Sequence, residues 1–319
     1  MCSLDDTELI PTIKNMLKSC SNDNTVKIGL RLLSDDDKFI NTVTKFVRKN
    51  KNISFKVDKI NKQNAKSLLG VGMGRSEAIK FYNGEDYFLQ IDSHSLFAKD
   101  WDKTMINLYK EAKEYTKLEK IILTAYAGYY TFNKKNKREF GDSRVGNNGR
   151  PRYVKFLHSR SFYETVPGWK DVEEDISEPF APIAKVNANF LFTDGSFALN
   201  SGISKNIVFF EEEILQTLEL CKLGYSFVYP NIDYPVIGHY YTLEGDRDYN
   251  DRRKILGDYA VYYDSLFLTI KARNNFIKYM DAPENQEIIE RYNKYIGWEF
   301  DVKNPNNKHN TGIPSTFIV

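Results

Sequence analysis

Strand and helix patterns take turns along the first 125 residues, and that alternation limits the possible folds more than any other feature. Leu9, Ile13 and Leu17 recur at helical spacing. Val26, Ile28 and Leu30 alternate as a strand does. Ser34, with Asp37 three positions on, is a helix-start signal, and Phe39, Ile40, Val43, Phe46 and Val47 then share one helix face. Ile53, Phe55 and Val57 alternate again. SEAIKFY reads as helix, YFLQI as strand, WDKTMINLYKEAKEY as helix and EKIILTAYA as strand. Helices of this length between strands predict an α/β fold, a parallel sheet with crossover helices.

After about residue 130 the pattern fades. TFNKKNKREFGDSRVGNNGRPRYVKF is polar, basic and glycine-rich without a clear period, which predicts a long loop or insertion over about 131–183. Long loops in compact domains are often functional. AKVNANFLFTDGSFALN has strand and turn character. EEEILQTLELCKLGY predicts a helix with Ile214, Leu218 and Cys221 on its apolar face, ended by Gly224, and YSFVYP predicts a strand.

Several classes are disfavoured by the totals. The 319 residues carry a formal net charge of +2, so overall charge does not mark a polyanion binder, although local basic patches can. Cys2, Cys20 and Cys221 are scattered and odd in number, which argues against a disulfide framework and for a reducing compartment. The opening MCSLDDTELIPTIK has acids where a signal peptide needs an apolar core, and no apolar run approaches the ~18 residues of a membrane span. The expectation is a cytoplasmic protein without a membrane partner.

The strand-like run Tyr87–Ile91 ends abruptly in Asp92-Ser93-His94. In open α/β sheets, ligands bind beyond the carboxyl ends of the strands. A carboxylate and an imidazole two positions apart can turn toward one ion where the chain leaves the sheet. Mixed oxygen and nitrogen ligands suit Mn2+ or Mg2+ better than a structural zinc. Such an ion could stabilise a leaving diphosphate. The plainer alternative is that Asp92 caps the next helix and His94 packs on Phe97 or Trp101.

GVGMGRSEAIKFYNGEDYFLQIDSHSLFAKDWDKTMI, residues 70–106, resembles the cytosolic polypeptide GlcNAc-transferase family. Those enzymes glycosylate hydroxyproline on a ubiquitin-ligase adaptor and have bacterial and viral relatives. The matching residues are Gly72, Arg75, Tyr82, Gly84, Glu85, Tyr87, Gln90, Ile91, Asp92, Ser93, His94, Trp101 and Asp102. SLDDTELIPTIKNML, residues 3–17, is similar to the family's Ser-x-x-Asp-x-Glu-Leu block, and residues 206–230 resemble its Phe-Phe-x-Glu-Glu-Ile helix and following strand. His239 falls at the family's late histidine. The family has a full strand before the Ser-x-x-Asp turn, whereas only Met1 and Cys2 precede Ser3; a shortened first strand, or a chain that begins inside it, is expected.

The resemblance implies a single A-type glycosyltransferase domain, a Rossmann-like αβα sandwich. Residues 1–118 would form the nucleotide-sugar half, and 119–319 the acceptor half with the basic insertion. It implies Asp92, His94 and His239 as ligands of Mn2+ or Mg2+, and Ser3, Asp6, Arg75, Asp92 and Ser93 as contacts of a UDP-sugar. Glu212 and Glu213 become the catalytic candidates over sugar and acceptor. The family is classed as retaining, a mechanism in which the leaving phosphate can deprotonate the acceptor.

Residue by residue, plainer readings stand beside these. Glu211, Glu212 and Glu213 open a helix, where acids complement the helix dipole. GVGMGR lacks the strand–turn–helix context and distant acid of a dinucleotide fingerprint, while Arg75 at its end suits a phosphate. His158 and His309 have no supporting neighbours in the sequence. KKNKR at 134–138, with Arg144, Arg150, Arg152, Lys155 and Arg160, is interleaved with Tyr153, Phe156 and Phe162, a mixture that suits nucleic acid. The expected activity is therefore transfer of a GlcNAc-like sugar from UDP to a protein hydroxyl. A phage-type enzyme acting on hydroxymethylated DNA bases, in a host cytoplasm, is the alternative. An inactive nucleotide-sugar or nucleic-acid binding protein is the alternative of another class.

Overall fold

The computed structural model describes residues 1–61, 63–64, 68, 70–141, 153–157, 168–172, 177–208, 211–232, 235–240, 265–296 and 317–318. The expectations placed on Arg144, Arg150, Arg152, His158, Arg160, Phe162 and His309 fall outside the described residues.

Three parallel strands, β1 (Cys2–Leu4), β2 (Ile28–Ser34) and β3 (Ile53–Lys59), form the first sheet in that order. Helices α1 (Leu9–Ser19) and α2 (Asp37–Arg48) make the crossovers, as the alternation predicts. The start of α2 sits on Asp36 rather than Ser34. The Asp36 carboxylate accepts from Lys38 N at 2.7 Å, while the Ser34 hydroxyl accepts from Asp36 N at 3.0 Å and shapes the turn before it. β2 has a strand at each edge and α2 packed against it, and is buried along most of its length. β3 is the outer edge and is half exposed, with Lys56 and Lys59 paired to Glu77 and Asp37.

The helix read from SEAIKFY begins earlier, as α3 (Val71–Ala78), and ends in a 3-10 turn over Ile79–Phe81. Its glycines are not a phosphate turn. They lie inside the helix, where the backbone must come close to its neighbours. A Cβ on Gly72 would stand 2.2 Å from Ser204 O, and one on Gly74 would stand 2.8 Å from Cys2 Cβ. Val71 N and Gly72 N instead bond to Val208 O and Ile207 O.

Strand β4 (Tyr87–Ile91) is followed by β5 (Ser95–Phe97), α4 (Trp101–Thr116) and β6 (Ile121–Thr124). Beyond them come β7 (Gly128–Phe132), β8 (Arg138–Phe140), β9 (Tyr153–Leu157), β10 (Gly168–Val172), β11 (Phe180–Pro182) and β12 (Phe190–Asp194). Helix α5 (Glu212–Lys222), β13 (Ser226–Pro230), β14 (Ile237–His239), α6 (Ser265–Asp281) and α7 (Gln286–Ile296) complete the order.

The second sheet, β11-β13-β6-β12-β4, is mixed rather than all parallel. β12 is antiparallel to both β4 and β6 and slots between them, so those two keep the parallel sense that α4 imposes. β6 and β13 pair in parallel and are wholly buried, which accounts for their unbroken apolar runs. A third sheet, β5-β14-β7-β8, lies at the end of the β4 strand.

The segment expected as a loop, 131–183, contains strands. β7 and β8 form a hairpin whose turn is built by Asn133, its side-chain oxygen accepting from Lys135 N and Lys137 N, each at 3.0 Å, with Asn136 at φ +57°. β9 and β10 pair antiparallel, and Lys155 and Phe156 fall on β9. The turn was legible in Asn133 and Asn136; the short strands around it lack a clean alternation.

β1 is short against the seven residues of β2 and β3. A cavity of about 780 Å³ is bordered by Met1, Gly29, Tyr87 and Gln90. The Met1 ammonium donates to Gly29 O at 2.9 Å there. Among the described residues, no helix is long and apolar enough to cross a membrane.

The close approach of α3 gives a direct check. Gly72→Ala is expected to cost about 1–3 kcal/mol, because the new methyl meets backbone that cannot rotate away. Urea unfolding measures it; a variant as stable as wild type would remove the packing role assigned to that glycine.

Candidate functional site

Asp92, Ser93 and His94 fill the gap between β4 and β5. β5 then pairs antiparallel with β14 in a register that sets His239 opposite Ser95, and Tyr240 N donates to His94 O at 3.0 Å. This ladder brings together residues far apart in sequence. The two imidazole rings stand 4.6 Å apart, centre to centre, in an edge-on arrangement. His239 Nε2 lies 3.0 Å from Asp92 Oδ2. One ligand atom from each of Asp92, His94 and His239 lies within 4.8 Å of the others. Ligands about 2.1 Å from an octahedral ion stand about 3–4 Å apart, so small rotations would let these three share one divalent cation.

Arg75 is buried, and α3 aims it at the same carboxylate. Nη2 donates to Asp92 Oδ1 at 3.1 Å and Nη1 to Ala188 O at 2.5 Å. Nε stands 3.0 Å from Glu212 Oε1, close enough for an ion pair but not aligned as a hydrogen bond. Burial works against the guanidinium charge, but Glu212 and Asp92 more than restore it. Burial would likewise raise the Asp92 carboxyl; the His239 hydrogen bond and the Arg75 charge outweigh it and hold the group well below the usual carboxylate range.

Glu212 and Glu213 open α5, as the helix pattern indicates, yet their surroundings differ. Burial pushes the Glu212 carboxyl up to about 7 despite Arg75, and neighbouring Asp92 and Glu213 add to the rise. Glu213 keeps more of its side chain exposed, 19% against 5% for Glu212. It pairs with Lys185 and accepts from Ala188 N at 3.0 Å.

Asp6 follows β1 and reaches the Asp92-Ser93-His94 loop, where its Oδ2 accepts from Ser93 Oγ at 2.6 Å and lies 2.5 Å from His94 Nδ1. Ser3 sits apart from this cluster in its contacts: it is buried within β1, paired in register with Leu32, and its hydroxyl makes no hydrogen bond among the described residues.

The capping alternative for Asp92 is not seen. The residue before α4 is Asp100, and Asp92 is engaged with Arg75 and His239. Phe97 and Trp101 pack on each other, with centroids 4.8 Å apart. Asp102, part of the matching run, is a buried acceptor for Ser21 and Asn24, which pins the 20s loop to α4. Of the basic run, Arg138 turns inward to pair with buried Glu8 at 2.6 Å, whereas Lys134, Lys135 and Lys137 are exposed at the hairpin tip.

Lys185 was not singled out from the sequence. It is fully buried, bonds to Asn187 Oδ1 at 3.2 Å, pairs with Glu213, and holds its ammonium 5.5 Å from the centre of the Tyr126 ring. The available signal was a lone lysine in the otherwise apolar run APIAKV.

The raised Glu212 carboxyl has a readable sign. Its unfolded value lies near 4.5 and its folded value near 7. The stability it contributes is therefore full below pH 4.5 and is lost as pH rises to 7. Glu212→Gln should flatten stability against pH across that window, measured by urea unfolding at fixed pH; an unchanged slope would contradict the assigned environment.

Three comparisons bear on this geometry. A search of curated protein sequences gives no match. Among solved structures, the chain is similar in fold to a crystal structure of GalNAc-T7 with UDP, GalNAc and Mn2+, at a TM-score of 0.54 and 12% identity. The match covers 92% of this chain and 55% of that one, so the chain spans little more than half the length of that protein. The fold is thus the A-type glycosyltransferase fold expected from the sequence. The family model described as Glycosyltransferase (GlcNAc) matches residues 30–294, most of the chain. That span takes in Arg75, the Asp92-Ser93-His94 loop, Glu212 and His239, and on it this chain belongs to the GlcNAc glycosyltransferase family.

Proposed function

We propose that this protein transfers a sugar from a UDP-sugar to a hydroxyl group on a protein, with Mn2+ or Mg2+ held by Asp92, His94 and His239. The observation that carries the reading is the convergence of those three ligand atoms within 4.8 Å, assembled from two separate strand ends. The fold neighbour's structure holds UDP and Mn2+, which accords with the same donor class. A divalent ion in such a site stabilises the charge that develops on the departing diphosphate.

The protein's own groups would do the rest. Arg75 stays charged and is fixed by Asp92, Glu212 and Ala188 O, so it can face a phosphate without reorganising. Glu213, braced by Lys185 and partly exposed, suits orientation of a sugar or acceptor hydroxyl. Glu212 is assigned chiefly to bracing Arg75. In the retaining mode the leaving phosphate oxygen takes the acceptor proton on the same face, so no further protein base is required. Residues 1–118 and 119–319 act in this reading as the donor and acceptor halves. The GlcNAc identity of the sugar follows the family's description. Three free thiols accord with a cytoplasmic, reducing setting.

One observation favours a second acceptor. Lys134, Lys135 and Lys137 project from the tip of the β7–β8 hairpin, and β7 pairs directly with the β14 strand that carries His239. A polyanion such as hydroxymethylated DNA would be drawn to that tip.

UDP release in the presence of Mn2+ tests these readings, with a panel of UDP-sugars and with or without hydroxymethylcytosine DNA. Asp92→Ala should lose about 100-fold or more, since several kcal/mol of charge stabilisation at 1.36 kcal/mol per decade is at stake. Release stimulated by modified DNA would assign the hairpin to a nucleic-acid acceptor; release indifferent to DNA supports the protein acceptor. No release from any UDP-sugar would leave the binding-module alternative and overturn the enzyme.

A further inference from the structure

Asp6 makes contacts that its expected role as a nucleotide-sugar ligand does not need. Its side chain is only 10% exposed. Oδ1 accepts from Glu8 N at 2.9 Å, which ties the carboxylate to the start of α1. Oδ2 accepts from Ser93 Oγ at 2.6 Å and stands 2.5 Å from His94 Nδ1. One carboxylate on the loop after β1 thus grips both residues that follow Asp92 on the loop after β4.

We propose that Asp6 is the positioning residue of the metal centre: it fixes the proton of His94 on Nδ1 and leaves Nε2 as the nitrogen with a lone pair for the cation. The chemistry is simple. An aspartate carboxylate offers only acceptors, so the hydrogen in its short contact with the imidazole belongs to Nδ1. A histidine with Nδ1 protonated binds metal through Nε2. The backbone of His94 is already held by Tyr240 N on its carbonyl. Asp6 adds the one restraint that a backbone ladder cannot supply, the rotation and tautomer of the ring. Ser93 supports this from the side, by donating to the same oxygen.

The inference rests on the metal reading of Asp92, His94 and His239, and the test separates the two. Wild type, Asp6→Asn, Ser93→Ala and Asp92→Ala are titrated with Mn2+ by electron paramagnetic resonance, with and without UDP. The ring nitrogens of His94 are followed by 15N NMR in the metal-free protein. Asparagine keeps an oxygen for Glu8 N but can turn its amide toward His94, which favours the opposite tautomer. The expected result is Mn2+ affinity weakened about 10–100-fold in Asp6→Asn, with the proton moved from Nδ1 to Nε2. Ser93→Ala should keep the wild-type tautomer. Asp6→Asn with wild-type Mn2+ affinity, a wild-type tautomer and weaker UDP binding would overturn the proposal and return Asp6 to the nucleotide. Wild type that binds no Mn2+, or Asp92→Ala that binds it equally well, would overturn the metal reading and this proposal with it.

Discussion

A buried guanidinium holds the site together. Arg75 leaves α3, which packs against the first sheet, and reaches Asp92 beyond β4, Ala188 ahead of β12 and Glu212 at the start of α5. A charge taken out of water must be met by partners, and removing one such partner costs about 3–5 kcal/mol. The four segments therefore cannot drift independently. Two of them come from the first 118 residues and two from the remainder, so the cation that suits a diphosphate also joins the two parts of the chain. Arginine is suited to this because its planar fork can serve several acceptors at once.

Electrostatics around that cation sort the acids. Asp92, bonded by His239 and facing Arg75, stays ionised far into acid. Glu212, equally close to Arg75 but more deeply enclosed among carboxylates, moves the other way. Glu213 has its own cation in Lys185. Three neighbouring carboxylates thus have distinct environments, fixed by burial and by which cation or imidazole each one faces. The pair of histidines is positioned differently, by strand register: β5 against β14 sets His239 beside the loop that carries His94.

Much of this was legible in the sequence. The alternation of apolar periods pointed to the parallel first sheet and its two crossovers, because the apolar residues of those elements recur at strand or helix spacing. Asp92 and His94 stood out because a buried strand ends in them, and the resemblance carried Arg75, Glu212, Glu213 and His239. Less was readable where long-range pairing decides. Nothing local announces that β12 inserts antiparallel between β4 and β6. The hairpin around Asn133 falls partly in the segment expected as a loop, since a strand as short as β8 holds too few residues to show alternation. Lys185 drew no attention in the sequence, and only the fold reveals Glu213 beside it. GVGMGR was set aside as a dinucleotide fingerprint, but only the fold shows that its glycines serve close packing of a helix. Arg138 read as part of a basic run, yet it is spent on Glu8.

The central claim is that Asp92, His94 and His239 share one divalent cation. A crystal soaked with Mn2+ and UDP, with data collected at the manganese absorption edge, tests it most directly. The account predicts a single strong anomalous peak bounded by the Asp92 carboxylate and one nitrogen from each histidine. A peak elsewhere, or none while UDP is bound, would contradict it.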